Sequence, residues 1–143
     1  MKKSLLIICA SVLTMSAQAQ QVKYTVKGVS KETVRWSISK TGGPCIREMP
    51  HVVAAYEKFH DKGLDIVGIS LDKNMIPWKK TIVSQNMPWA HLSDLKGWES
   101  LVTKVYKINS IPDNLLIDPQ GKIVARNLRG EVLLEKLKDV LGE

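Results

Sequence analysis

The residues from Leu64 to Leu71 place the tightest limit on the fold of this chain. Their sequence, LDIVGISL, is rich in apolar and β-branched side chains. A run of this kind is typical of a strand that is buried within a sheet covered by helices. It therefore predicts an α/β domain in which helices flank a central sheet.

Helical and extended segments alternate along the rest of the chain. Apolar residues recur at helical spacing after Pro44, which suits a first helical turn, and Pro50 is expected to kink that helix. Gly63 suits the end of the helix. The predicted helices cover 44–62, 75–86 after a cap within 72–74, 97–107 and 131–141, and the predicted strands cover 22–26, 34–38, 64–71, 114–117 and 122–126.

The composition excludes several classes of protein. Two cysteines, Cys9 and Cys45, are too few for a disulfide scaffold, a four-cysteine zinc site or an iron–sulfur cluster. The histidines at 51, 60 and 91 lack metal-ligand spacing and are expected on the surface, so we expect neither a metal nor a cofactor. The formal net charge of +7 is spread along the chain. We interpret it as an aid to solubility, and we expect no nucleic-acid partner.

The first 19 residues match a secretory signal peptide. Lysines at 2–3 are followed by an apolar stretch at 5–15 and by small residues at Ala17 and Ala19. The alternatives are a membrane anchor, for which the apolar run is short, and a lipoprotein attached at Cys9, which lacks a small residue before the cysteine. We expect an exported protein, periplasmic or associated with the cell envelope.

Cleavage after Ala19 would leave 124 residues with Cys45 as their one cysteine. Because two lysines leave with the peptide, 19 basic and 14 acidic residues remain, a net charge of +5. The compartment is expected to be oxidising, where thiol chemistry is common. We divide the chain into a signal peptide at 1–19, a short segment at 20–32 and one domain at 33–143.

The stretch from Gly42 to Pro50 carries the chemistry that the sequence predicts. It joins a strand to the start of a helix and places Cys45 in the first helical turn. Unpaired backbone N–H groups and the positive end of the helix dipole favour the thiolate there, which is the reactive form of cysteine.

These residues resemble the thioredoxin-like TlpA/ResA family of exported thiol-disulfide oxidoreductases, in the AhpC/TSA-thioredoxin superfamily. The usual motif of that family is Trp-Cys-Gly-Pro-Cys, followed by a basic stretch and Glu-Met-Pro or Glu-Phe-Pro. This chain has TGGPC at 41–45 and REMP at 47–50. The match resumes at 64–72, 110–112 and 116–123, and extends over about residues 38–141. The resemblance implies a thioredoxin-like fold with a central mixed β-sheet flanked by helices.

One departure from the family pattern affects the chemistry directly. Gly42 occupies the position of the exposed attacking cysteine, and Cys45 occupies that of the resolving cysteine, while Thr41 replaces the usual tryptophan. Reduction of a disulfide by this route needs two thiols, because the second thiol must release the trapped partner. The ordinary dithiol cycle is therefore not available to this chain.

The resemblance also implies a groove for client peptides. It assigns Ile111 and Pro112 to a cis-proline loop beside the active site, and it adds Gly43 and Pro44 to the residues that bind the client. The partners implied are client proteins or peptides with thiols or disulfides. A homodimer linked through Cys45 is a further possibility. Peroxidase activity is not expected, since the peroxidatic cysteine of related enzymes follows a Thr or Ser by three residues, where this chain has Gly42.

A second departure lies upstream of the motif. The strand before it alternates apolar and polar residues, and Arg35 and Ser37 are unusual in a strand covered on both faces. The strand and helix that precede it in the family are not found, and residues 20–32 resemble the remnant of an upstream domain. The thioredoxin-like fold is thus expected to be shortened at its N-terminal side.

Several side chains keep two interpretations. Cys45 is either a working monothiol or a small buried residue that has lost its partner. Glu48 either influences the protonation of Cys45 or is a solvated helix residue, which we favour. Trp98 is expected in the core, while Trp89 is left open between the core and a client groove.

Three functional hypotheses follow. The first is an exported thioredoxin-fold protein of the protein disulfide reductase type, with redox activity impaired because only Cys45 remains; whether it is still an enzyme is open. The second is a non-enzymatic module that binds client peptides near Cys45 and Pro112. The third is a shortened gene product that folds poorly.

Overall fold

The computed structural model describes residues 33–39 and 41–143. Its strands are β1 (Thr33–Ser39), β2 (Leu64–Ser70), β3 (Ala90–Leu92), β4 (Asp113–Ile117) and β5 (Ile123–Arg126), and its α-helices are α1 (Gly43–Phe59), α2 (Met75–Ser84), α3 (Leu101–Val105) and α4 (Gly130–Leu141). Short 3₁₀ helices cover His60–Lys62 and Gly97–Glu99. The predicted signal peptide, the segment at 20–32 and the predicted strand at 22–26 lie outside the described residues.

The described strands form one mixed sheet in the order β3-β2-β1-β4-β5. β1 pairs in parallel with β2 from Thr33 opposite Leu64 to Ser39 opposite Ser70, and it pairs antiparallel with β4. Because Ile38 near the end of β1 lies opposite Asp113 at the start of β4, the chain leaves β1 and enters β4 at the same end of the two strands. This register places the loop before α1 beside Ile111 and Pro112.

Both faces of the sheet carry a buried core at β2 and β4, whereas the edge strand β5 is mostly exposed. On one face, α1 and α4 pack on the sheet through residues that are almost completely excluded from solvent, among them Val52, Phe59, Leu64, Ile66, Leu116, Leu133 and Leu137. On the other face, the apolar side chains of the sheet pack with the α3 region and the loop that follows it, through Ile38, Ile69, Leu115, Ile117, Val102 and Ile108. Neighbouring residues of β4 therefore face opposite cores, as its apolar run requires.

The predicted α/β architecture is confirmed, with two local differences. The helix expected at 97–107 is a 3₁₀ turn followed by α3, with Ser100 between them. The prediction that Trp98 lies in the core is wrong, since its side chain is 46% exposed. Apolar periodicity counted Trp98 as part of one continuous helix face, and the break at Ser100 removes it from that face.

α1 is one continuous helix from Gly43 to Phe59, with Pro50 inside it. Proline has no N–H to donate to the carbonyl four residues earlier, so the helix continues without that hydrogen bond. Its end is close to the prediction, because the 3₁₀ turn and Gly63, at a φ of 102°, terminate it. None of the helices described has both the length and the apolar character needed to span a membrane.

Candidate active site

Gly42 lies at the start of α1 with open space around it. It is exposed, and its carbonyl accepts the first hydrogen bond of the helix, from Ile46 N at 2.9 Å. Its φ of 165° is ordinary extended backbone, which any residue can adopt. A Cβ built at Gly42 would meet no heavy atom within 4 Å. Neither backbone conformation nor packing therefore requires glycine at this position.

Cys45 is buried three residues further along the helix. Its side chain is 4% exposed and lines a small cleft between α1, β2 and α2. Gly68, Asp72, Trp78 and His91 line the same cleft. The two positions of the motif thus differ sharply: position 42 is accessible, whereas the thiol at position 45 is covered.

A buried carboxylate holds the residue before Gly42. Asp72 follows β2 and is 4% exposed. Its two oxygens accept hydrogen bonds from Thr41 N, each at 3.0 Å, and Oδ2 also accepts from the Thr41 hydroxyl at 3.0 Å and from Ser70 Oγ at 2.7 Å. Ser70 Oγ in turn accepts from Asp72 N at 2.9 Å. This network fixes the entry to α1 against the end of β2.

His91 is half-buried in the cleft, so its expected place on the surface is wrong. Its Nε2 lies 3.2 Å from the carbonyl oxygen of Met87, which can only accept, and Nε2 therefore carries the proton. The ring packs near Trp89, with 5.9 Å between the ring centroids. Burial lowers the pKa of His91 below 6.5, against the opposing effect of the hydrogen bond to Met87.

The other histidines differ from each other. His51 is exposed, as predicted. His60 is half-buried, so its expected place on the surface is also wrong: its ring stacks on Tyr56 with centroids 4.4 Å apart, and Nδ1 lies 3.0 Å from the carbonyl oxygen of Leu64. Trp89, left open by the sequence, is 6% exposed and belongs to the core around α1 and α4.

The loop before β4 contains the predicted cis peptide bond, between Ile111 and Pro112. Pro112 is buried, and its carbonyl accepts a hydrogen bond from Nη2 of Arg129. Arg129 lies between β5 and α4, so this contact joins the proline loop to the start of the last helix.

Glu48 is not the solvated helix residue that we favoured. It is half-buried, and its Oε1 accepts a hydrogen bond from Gly130 N at 3.1 Å, which links α1 to the first residue of α4. The acceptor is 82 residues from the donor in the chain. No spacing rule along α1 could have predicted this contact.

Sequence reasoning missed Asp72 and Arg129 as residues of the site. Asp72 was considered only as a helix cap, although the cap of α2 is Asn74, whose side chain accepts from Ile76 N at 3.0 Å. A signal was present, because Ser70 and Asp72 are polar residues at the end of an apolar strand. Arg129 gave no signal. Within the described ranges, no cluster of three or more His, Cys, Asp or Glu side chains could hold a metal ion.

The sheet, the helix that begins after β1 and the proline loop opposite it together define a thioredoxin-like domain. The thioredoxin domain of a thiol-disulfide oxidoreductase from Bacteroides vulgatus superposes with a TM-score of 0.74 at 29% identity, covering 82% of this chain and 85% of that one. A thiol-disulfide oxidoreductase from Bacteroides fragilis superposes with a TM-score of 0.72 at 28% identity, covering 77% of this chain and 82% of that one. StoA from Bacillus subtilis, at 18% identity and a TM-score of 0.60, shares the fold and covers 75% of this chain and 81% of that one.

The AhpC/TSA family model matches residues 14–126, so the chain belongs to the AhpC/TSA family, and within it to the thioredoxin-like TlpA/ResA group. The thiol-disulfide oxidoreductase ResA of Bacillus thuringiensis subsp. konkukian is 31% identical over 98 residues, which is 68% of this chain and 54% of that protein. ResA of Oceanobacillus iheyensis is 29% identical over 100 residues, 70% of this chain and 50% of that protein. The chain spans about half the length of the curated relatives it matches.

Proposed function

We propose that this protein is an exported thiol-disulfide oxidoreductase of the protein disulfide reductase type that has lost its catalytic cycle at Gly42. Its clients are proteins or peptides that carry thiols or disulfides. In the complete cycle, a thiolate at position 42 attacks the client disulfide, forms a mixed disulfide and releases one client thiolate. The thiolate at position 45 then attacks the mixed disulfide, releases the second client thiolate and forms a disulfide between the two positions. The client gains two electrons and the protein loses two.

The observation that carries this proposal is the difference in exposure between positions 42 and 45. An attacking thiol must reach a client, and position 42 is exposed with free space for a side chain. A resolving thiol acts only inside a mixed disulfide, and Cys45 is buried beneath that position. The chain therefore retains the surroundings of both thiols but only the second of them.

The substitution Gly42→Cys tests the proposal. We expect the native chain to add no measurable rate to the reduction of a peptide disulfide by dithiothreitol, and we expect the variant to accelerate it. Gly42→Ser is the matched control, because it adds a side chain of similar size without a thiol. Mixed with the client disulfide in the absence of dithiothreitol, a double variant, Gly42→Cys with Cys45→Ser, should stop as a mixed disulfide with the client. If Gly42→Cys is folded by circular dichroism and remains inactive, the proposal is refuted.

A non-enzymatic client-binding module is the second candidate. It is favoured by the anchored proline loop, which Arg129 holds although the attacking thiol is absent. The native chain should then bind an extended, cysteine-free peptide, with amide chemical-shift changes at Gly43 and Ile111. Circular dichroism of the native chain separates both candidates from a gene product that folds poorly.

Export and assembly are tested separately. Cleavage of a signal peptide predicts a secreted product whose first residue is Gln20, which mass spectrometry of the periplasmic fraction would detect. A dimer linked through Cys45 predicts a band on a non-reducing gel that a reductant removes. The burial of the Cys45 side chain argues against this dimer in the folded protein.

A further inference from the structure

We propose that residues 127–130 form a brace that sets the position of the Pro112 wall of the client groove, and that Arg129 is its positioning residue. The proposal rests on the client groove of the function proposed above. It concerns a segment that lies outside the sequence motif of the active site, between β5 and α4.

The first half of the brace is fixed to β4. Asn114 is 1% exposed, and its side chain holds Leu128 by two hydrogen bonds: Nδ2 donates to the Leu128 carbonyl at 2.8 Å, and Oδ1 accepts from Leu128 N at 3.0 Å. Asn127 N donates to the Asn114 carbonyl at 2.9 Å. A buried amide whose donor and acceptor are both used on one backbone residue leaves that residue little freedom. The start of the segment is therefore fixed to Asn114, which lies two residues after Pro112 in the chain.

The second half of the brace connects Pro112 to α1. Arg129 donates through Nη2 to the Pro112 carbonyl and through Nε to Asn127 Oδ1 at 3.1 Å. The next residue, Gly130, donates its N–H to Glu48 on α1 at 3.1 Å. One short segment thus holds Pro112 on one side and the helix that carries Cys45 on the other.

The chemistry of arginine suits this role. Its planar guanidinium has several N–H groups in a rigid fork, so it can bind two acceptors in a fixed geometry, whereas lysine offers a point charge on a flexible stem. The Pro112 carbonyl accepts from Arg129, and the adjoining backbone of Ile111 is the part of this wall that we expect to pair with a client strand. Loss of the guanidinium should loosen the wall and weaken client binding before it slows the chemistry at position 42.

The kinetic test uses Gly42→Cys as the parent and a neutral peptide disulfide as the substrate. Arg129→Ala should raise KM about threefold to tenfold, because its charge-assisted hydrogen bonds to the Pro112 carbonyl and to Asn127 are lost at an exposed position, and should leave kcat within about twofold. Arg129→Lys should recover only part of the loss. Glu48→Gln, which keeps the oxygen that accepts from Gly130, should retain a lower KM than Glu48→Ala. Leu137→Val, in the core of α4, is the control that lowers the melting temperature without touching the groove.

A second measurement uses the native chain and needs no activity. Nuclear magnetic resonance of the Arg129→Ala protein should show a shifted amide signal at Ile111 and faster hydrogen exchange at Gly130, whose N–H is donated to Glu48, with the distant turn at Gly121 unchanged. An inactive Gly42→Cys parent would refute the proposed function, and the exchange result would still decide for or against the brace. Unchanged KM in Arg129→Ala, a KM increase equal to that of Leu137→Val, or unchanged exchange at Gly130 would overturn the brace.

Discussion

Asp72 is the side chain whose removal should most weaken the entry to the active-site helix. In Asp72→Ala, the Thr41 N–H, the Thr41 hydroxyl and the Ser70 hydroxyl all lose their acceptor. A hydrogen bond to a charged group contributes about 1.5–3 kcal/mol, so the three together would contribute about 4.5–9 kcal/mol. The burial of the carboxylate costs several kcal/mol, which the substitution returns, and water can reach half-buried Thr41. We expect a net loss of about 2–4 kcal/mol in the free energy of unfolding.

Equilibrium unfolding in urea measures this loss, and Thr41→Val is its matched comparison. Valine keeps the backbone N–H that donates to Asp72 and removes only the hydroxyl, so it should cost about 1 kcal/mol. Both variants should unfold with the slope of the native chain, because the surface exposed on unfolding is unchanged. A loss below about 1 kcal/mol in Asp72→Ala, or equal losses in the two variants, would show that the carboxylate does not hold Thr41 as the geometry indicates.

Three further predictions concern the cleft. Gly68→Ala should lower the free energy of unfolding by about 1–3 kcal/mol, because its Cβ would lie 2.6 Å from Nδ1 of His91. Unfolding in urea should show that adding His91→Ala recovers part of this loss, and independent, additive losses would contradict the clash. The pKa of His91 is lowered in the folded state, so the unfolded chain takes up the proton first as pH falls below about 6.5. The free energy of unfolding should therefore fall between about pH 6.5 and the folded pKa and level off below it. His91→Asn should flatten this dependence in urea titrations from pH 8 to 5, and an unchanged pH dependence would refute the assignment. Cys45 in the chain starting at Gln20 should react slowly with iodoacetamide when folded and quickly in urea, and equal rates would contradict its burial.

The sequence predicted most elements of the fold because their signals are local. The apolar run at 64–71 and the helical spacing after Pro44 correspond to β2 and α1. One failure is local. Trp98 had the spacing of a helix face, but the chain breaks that helix at Ser100, a residue type common at helix N-termini.

The candidate site divides in the same way. Gly42 and Cys45 were identified by their place in a motif, and the cis bond before Pro112 by its resemblance to the family. The residues that support them were not identified, because Glu48 and Arg129 form hydrogen bonds with residues far along the chain. Asp72 is marked in the sequence only as a polar residue at the end of an apolar strand, and its role becomes clear when its donors on Thr41 and Ser70 are known.

The rate at which the native chain reduces a peptide disulfide with dithiothreitol tests the central claim most directly. Glycine at position 42 has no sulfur with which to attack, and the thiol of Cys45 is buried, so the rate should equal that of dithiothreitol alone. Under the same conditions Gly42→Cys should exceed that rate, and Gly42→Ser should not. A native chain that turns over client disulfides above the dithiothreitol rate would contradict the claim that the cycle is lost at Gly42.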